Sequence, residues 1–192
     1  MRPGLRAALT GAVVLAAAGG LLAWGMERAG SPERAYAAPG LAPMTAEDAA
    51  AAAGGRLVPA LLHGVYSAFA ETEEGALYDR LAQVADGPAI EALYLERMGA
   101  MAGGGLVDGA QDVHDVWMVR TDLRRAGDTL EVEAVWDVIG RLAHEDHVHT
   151  LGSRYRGALT LAPREGAWKI TAFALVDADR SRAGQQVAAE HR

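Results

Sequence analysis

The stretch that decides the fold is Leu130-Glu131-Val132-Glu133-Ala134-Val135-Trp136-Asp137-Val138, residues 130–138. Its even-numbered positions are apolar, and carboxylates occupy three of the positions between them. Because successive side chains of a strand point to opposite faces, this alternation predicts a half-buried β-strand. Similar runs at 113–123, 153–162 and 167–176 are joined by short turn sequences. The four runs together predict an antiparallel meander.

Upstream of these strands, the apolar residues recur at helical spacing. Thr45 followed by Asp48 resembles a capping box, so a helix is expected to start there, and Gly54-Gly55 is expected to bend or break it. Further apolar stripes predict helices over 73–85 and from Pro88 onward. Three helices followed by four strands predict an α+β fold, with the helices packed on one face of a four-stranded antiparallel sheet; that this sheet is curved is what the resemblance described below implies.

The N-terminal segment predicts export or membrane anchoring. Residues 8–26 carry no charge and follow Arg2 and Arg6, the order that the export machinery reads. The run has the length of a bilayer-spanning helix, roughly 17–25 residues. This favours an uncleaved single-pass anchor with its N-terminus in the cytoplasm and the remainder on the periplasmic side of a bacterial inner membrane. The alternative is a signal peptide cleaved after Ala37 in the Ala35-Tyr36-Ala37 motif, which would release the remainder into the periplasm.

These patterns divide the chain into four segments. Residues 1–37 form the signal anchor or signal peptide, and residues 38–45, which contain two prolines and a glycine, form a short linker. Residues 46–177 form one α+β domain, and residues 178–192 are expected to be a flexible polar tail.

Composition excludes several classes of function. The chain has 192 residues, a net charge of −7 and no cysteine, so disulfides and thiolate sites are excluded. An acidic domain without a basic stripe lacks the electrostatic footprint of a nucleic-acid-binding protein. Gly103-Gly104-Gly105 lacks the lysine of a phosphate-binding P-loop. We therefore expect no nucleic-acid partner. From the N-terminal segment we expect a membrane contact through residues 8–26 and a protein partner at the inner membrane.

The run Glu165-Gly166-Ala167-Trp168-Lys169-Ile170 is similar to the Gly-x-Trp-Lys-Ile hairpin that opens the last strand of many NTF2-like domains. With the order of elements, it makes residues 57–177 resemble the NTF2-like superfamily, whose ketosteroid-isomerase-like members form a cone. The resemblance implies a concave sheet with a pocket, and pairing into a homodimer. The chain also resembles a group of bacterial exported proteins through Tyr66, Tyr78, Asp79, Tyr94, Trp136, Gly140, His144, His147, His149, Tyr155 and Trp168.

Two sets of residues are candidates for a site. Six polar or aromatic residues would line the mouth of a cone, as an isomerase or dehydratase pocket or a ligand site, although ordinary core or rim packing also explains them. They are Tyr78, Asp79, Tyr94, Trp117, Trp136 and Tyr155. The second set is His144, His147 and His149, which could converge from a hairpin to bind zinc or copper, or could be solvated turn residues.

The sequence therefore leaves three hypotheses about function. We expect a non-catalytic, membrane-tethered periplasmic domain that binds a partner protein or a small ligand without a cofactor, as an accessory subunit of a membrane assembly. The second hypothesis is a metal-binding protein that uses the histidine hairpin. The third is an enzyme with a cone pocket, which would require an apolar cavity holding a carboxylate of raised pKa.

Overall fold

The computed structural model of the protein describes residues 33–102, 111–144 and 147–179, and for 111–114, 141–144 and 147–151 it describes the backbone. Contacts between residues divide the chain into two units, 1–33 and 34–192. No helix in the described ranges is long and apolar enough to cross a membrane. The predicted anchor or signal segment, residues 8–26, and most of the predicted tail lie outside those ranges.

The first helix, α1, comprises three consecutive segments: α-helical Ala46–Ala52, π-helical Ala53–Leu57 and α-helical Val58–Ala68. It begins as predicted, because the Thr45 side chain accepts a hydrogen bond from the Asp48 backbone N–H at 3.2 Å. The π-helical segment covers Gly54-Gly55 and brings the helix against the sheet. A Cβ atom at Gly54 would lie 3.0 Å from Thr121 Oγ1, so a larger residue there would have to displace the Thr121 side chain.

The other two helices follow each other along the chain after a short turn. Helix α2 spans Glu74–Val84 and buries one apolar stripe, and helix α3 spans Pro88–Ala102. Gly87 separates them with a φ of +58°, and Pro88 then opens α3 with a preset φ. Arg97 of α3 donates hydrogen bonds to the carbonyl oxygens of Phe69 at 3.1 Å and Glu71 at 2.6 Å, which ties α3 to the end of α1.

The described residues contain one sheet of six strands in the order β2-β1-β6-β5-β4-β3. The strands are β1 (Tyr36–Ala38), β2 (Leu41–Met44), β3 (Gln111–Ala126), β4 (Thr129–His144), β5 (His147–Arg164) and β6 (Ala167–Asp179). All neighbouring pairs are antiparallel except β1 and β6, which are parallel.

The predicted fold class was wrong in its sheet. We expected four antiparallel strands under three helices, whereas the described sheet is mixed, curled and six-stranded. The additional strands lie at 36–44, largely within the expected linker. Ala37 pairs with Ala167, and its N–H donates to the Gly166 carbonyl at 3.0 Å. The mixture of helices and strands does correspond to the expected α+β content.

Tertiary contacts with Trp168 hold the two short strands on the sheet. The indole of Trp168 is fully buried, and its Nε1–H donates to the Met44 carbonyl oxygen at 3.2 Å. The Tyr36 ring packs edge-on against the same indole with centroids 5.9 Å apart. Gly40, with a φ of +67°, closes the turn between the strands after Pro39, as in a type II turn.

A single core lies between the helices and one face of the sheet. Its largest fully buried side chains are Trp136, Trp168, Leu57, Leu61, Leu62, Leu77, Leu81, Leu93, Leu130, Leu161, Ile170 and Val58. The Trp136 Nε1–H donates to the Tyr66 hydroxyl at 3.0 Å, so the polar atom of this tryptophan is satisfied within the core. Gly157 gives the indole room, since a Cβ there would lie 3.1 Å from Trp136 and 2.7 Å from the Ala174 carbonyl.

Candidate functional site

The face of the sheet turned away from the core carries charged and small side chains. In β4 the even-numbered residues 130–138 are buried against the helices, which leaves Glu131, Glu133, Val135 and Asp137 on the opposite face. The strand register then places Ala158 of β5 beside Glu133. The opposite face therefore combines long charged residues on β3 and β4 with small residues farther along the sheet.

Two adjoining cavities open on this face, with volumes of about 420 Å³ and about 440 Å³. Both are lined by Asp122, Glu133 and Ala158, so together they form one continuous depression, which we call the sheet-face groove. Its other charged lining residues are Arg120, Arg124, Glu131 and Arg156. Each cavity falls within the range of roughly 300–1,000 Å³ that is usual for ligand pockets.

Small residues and a bulge shape the groove. Ala158 lies opposite Ala174 of β6, and neither side chain is long enough to fill the space between the charged rows. Val176 is an extra residue of β6, because Arg156 pairs with Asp177 while Gly157 pairs with Leu175. The bulge leaves Val176 64% exposed at the groove, where it provides an apolar contact surface.

Most charges at the groove are arranged in ion pairs. Arg120 contacts Asp122 at 2.7 Å, Arg124 pairs with Glu131, and Arg156 lies 3.8 Å from Asp177. Because these side chains are largely exposed, each pair contributes little to stability and remains free to exchange for a ligand.

Arg154 of β5 forms a bidentate pair with Asp137 of β4. Arg154 donates two hydrogen bonds to Asp137, at 2.7 Å and 2.8 Å, because the register places these two residues opposite each other. These hydrogen bonds raise the pKa of Arg154, and burial acts in the opposite direction.

Glu133 lies where two carboxylates of the groove face each other. The register places it directly opposite Asp122, and like charges in this position repel each other. Arg120 neutralises Asp122, whereas Glu133 has no ion pair within the described part of the chain. The shared floor of the two cavities therefore offers a carboxylate to a cationic group, while Arg156 can bind an anionic one.

The six predicted pocket residues lie in three places. Trp136 and Tyr155 belong to the core, where their rings stack with centroids 5.8 Å apart and Tyr155 also contacts Tyr66. Trp117 is 47% exposed on the edge strand β3, and its Nε1–H donates to Asp115. These three aromatic residues do not face one common opening.

The remaining three lie on the helices. Tyr78 of α2 stacks on Tyr94 of α3, with ring centroids 5.2 Å apart, and Asp79 is exposed beside them. The negative charge of Glu74 raises the pKa of Tyr94, and burial and a hydrogen bond to Glu74 act in the same direction. Because its pKa is raised, folding favours the neutral form of the Tyr94 phenol. Any stabilisation from this effect is complete below the pKa that Tyr94 has in the unfolded chain, and it is lost as the pH rises through the pKa of Tyr94 in the folded chain.

The histidine hairpin is described only by its backbone. His144 pairs with His147 at the end of the β4–β5 ladder, and His149 pairs with Leu142. Residues 145–146 and the three histidine side chains lie outside the described part of the structure. Among the described side chains, no three histidines or carboxylates converge as metal ligands would. Metal binding by the hairpin stays a prediction.

Sequence reasoning missed the groove, although a signal for it was present. The alternation of 130–138 already places Glu131 and Glu133 on the solvent face. Alanines at 158, 172 and 174 fall on the two following strands, where the same face would normally carry larger side chains. A row of small residues beside rows of charged ones indicates a depression, but its location depends on the register between strands.

Comparisons with known proteins assign neither a family nor a function to the chain. The chain is similar to the crystal structure of the intermembrane space region of the chloroplast protein ARC6, with a TM-score of 0.40 and 18% identity over 69% of this chain and 96% of that one. It is also similar to the solution structure of a de novo designed β-sheet protein, with a TM-score of 0.29 and 12% identity over 76% of this chain and 98% of that one. No protein-family model and no curated protein sequence matches the chain. Both structural similarities are too distant to support an argument about fold or function.

Proposed function

We propose that this chain is a non-catalytic binding domain, tethered on the periplasmic side of a bacterial inner membrane, that holds a partner protein or a small ligand in the sheet-face groove. The observation that carries the proposal is the pair of adjoining cavities sharing Asp122, Glu133 and Ala158. The tether is supported by the uncharged run at 8–26 behind Arg2 and Arg6.

The chemistry of the groove favours binding over catalysis. Its arginines and carboxylates are exposed and mostly paired, and such groups exchange partners readily. A ligand with both a cationic and an anionic group, such as an extended peptide, would complement Glu133 and Arg156. The aromatic residues expected to line a catalytic cone, Trp136 and Tyr155, are packed against Tyr66.

Membership of the NTF2-like superfamily remains part of this proposal. The sequence run from Gly166 to Ile170 is what supports it, and this run follows directly on the tight turn in which Glu165 and Gly166 have positive φ. Proteins of that superfamily serve as ligand binders and assembly modules as well as enzymes, so the resemblance agrees with a binding role without selecting it.

Site-specific cross-linking tests the groove. The chain contains no cysteine, so an Ala158→Cys variant of the full chain carries one reactive position, on the groove floor. We expect a thiol-directed cross-linker applied to membranes to give a discrete adduct with this variant. The adduct should be lost when Arg156→Glu is added, because charge reversal removes the complementary partner.

An Asp128→Cys variant is the matched control, since Asp128 is exposed in the β3–β4 turn outside the groove. Equal adducts at the two positions, or none at Ala158→Cys, would contradict the proposal. An adduct of twice the chain mass would instead indicate a homodimer that covers the groove.

Metal binding by His144, His147 and His149 is the alternative function. Under our proposal, the full chain purified without a His tag should contain far less than one zinc or copper ion per molecule by mass spectrometry. Replacing the three histidines with alanine should then change neither metal content nor stability. Near-stoichiometric metal that disappears in the triple variant would support the alternative instead.

A further inference from the structure

The second exposed surface of interest lies on the helices and contains apolar side chains. Tyr78, Leu95 and Met98 are 38%, 61% and 42% exposed. Tyr78 stacks on Tyr94, and Met98 lies one helical turn after Tyr94 and three residues after Leu95, so the four side chains are neighbours. We call these four residues the helix-pair patch.

Helix α3 has apolar residues on two faces. Ala89, Leu93 and Ala100 are buried against the domain, whereas Leu95 and Met98 project from the other side. A helix that only covers a core normally carries polar residues on its outer face. The apolar outer face of α3 therefore indicates that a further element packs on it.

The surroundings of the patch are strongly acidic. Residues 71–98 contain seven carboxylates and two arginines. Both arginines have partners: Arg80 pairs with Glu71, and Arg97 donates to the carbonyls of Phe69 and Glu71. The carboxylates of Glu74, Asp79 and Glu91 are thus left to dominate the potential around the patch.

From this combination, we propose that the helix-pair patch binds a basic amphipathic helix of a partner protein. The apolar face of such a helix would pack on Leu95 and Met98, and its lysines or arginines would reach Asp79 and Glu91 at the rim. The acidic rim opposes docking on an anionic lipid surface and also opposes a second copy of the same surface, since each would bring like charges together. This proposal goes beyond the sheet-face groove and does not depend on it.

The test uses the full chain in neutral detergent and a synthetic helical peptide of leucine and lysine, with the leucines at three- and four-residue spacing. Fluorescence anisotropy measures the dissociation constant. We expect Leu95→Gln and Met98→Gln, made singly, each to weaken binding about tenfold, as loss of a central apolar contact does. Val119→Gln is the matched control, because Val119 is 51% exposed on β3 and should bind within about twofold of the parent.

A second set of binding measurements tests the requirement for opposite charges. Binding should weaken with added salt and with Asp79→Asn plus Glu91→Gln, while Asp128→Asn should leave it unchanged. A counterpart peptide with glutamates in place of lysines should not bind. The proposal is overturned if the basic peptide fails to bind, if both peptides bind alike, or if Leu95→Gln and Val119→Gln behave alike. Self-association of the chain that Leu95→Gln abolishes would also overturn it, by making a second copy the occupant.

Discussion

Replacing Trp136 with alanine is expected to lower the free energy of unfolding by about 3–5 kcal/mol. The indole is fully buried, stacks on Tyr155 and meets the edge of Phe173. Its removal would leave a cavity where α1 packs on the sheet, and the stiff strands around it would not collapse to fill it. Urea denaturation of the chain from Arg34 onward, followed by circular dichroism, measures the change.

Two companion variants separate packing from hydrogen bonding. Tyr66→Phe keeps the ring but removes the acceptor of the Trp136 Nε1–H, so it should cost about 1–3 kcal/mol. Trp117→Ala changes the same residue type on the exposed edge strand and should cost about 1 kcal/mol or less. A Trp136→Ala variant no less stable than Trp117→Ala would show that the indole is not a core anchor.

The longer strands could be predicted from the sequence because their alternating pattern covers enough residues to be recognised. β4 shows five apolar positions at period two, and its partners repeat the pattern. The first two strands have three and four residues, too few for a period to be read, and Pro39, Gly40 and Pro43 favour a linker by composition. They are strands because Trp168, more than 120 positions away in sequence, packs on them.

The groove depends on information that one strand does not contain. Alternation assigns Glu133 to the solvent face, but the register decides that it lies opposite Asp122 and Ala158. A bulge, at Val176, also reshapes the groove, and a bulge adds one residue without a distinctive local sequence. Trp136 shows the same limit: the sequence leaves a pocket mouth and core packing both open, and in the structure the Tyr66 hydroxyl from a distant helix satisfies its indole N–H in the core.

A chain that begins at Ala38 is expected to be less stable than one that begins at Arg34, by about 2–4 kcal/mol. The shortened chain loses the Tyr36 ring from the face of Trp168 and the Ala37 N–H bond to the Gly166 carbonyl. It also loses the pairing of Tyr36 with Met44, so β2 is left without most of its partner. Urea denaturation of both chains measures the difference.

This comparison also bears on the alternative of a signal peptide cleaved after Ala37, because that bond lies inside β1. Cleavage there would remove Tyr36 and Ala37, two of the three residues of β1, and Ala37 is the residue that pairs with Ala167 of β6. In the chain from Arg34, Tyr36→Phe keeps the aromatic contact and should change the free energy of unfolding by less than about 1 kcal/mol. Tyr36→Ala should lower it by about half of the difference between the chains that begin at Arg34 and at Ala38. If the chain from Ala38 is as stable as the chain from Arg34, Tyr36 and Ala37 contribute nothing to stability that cleavage after Ala37 would remove.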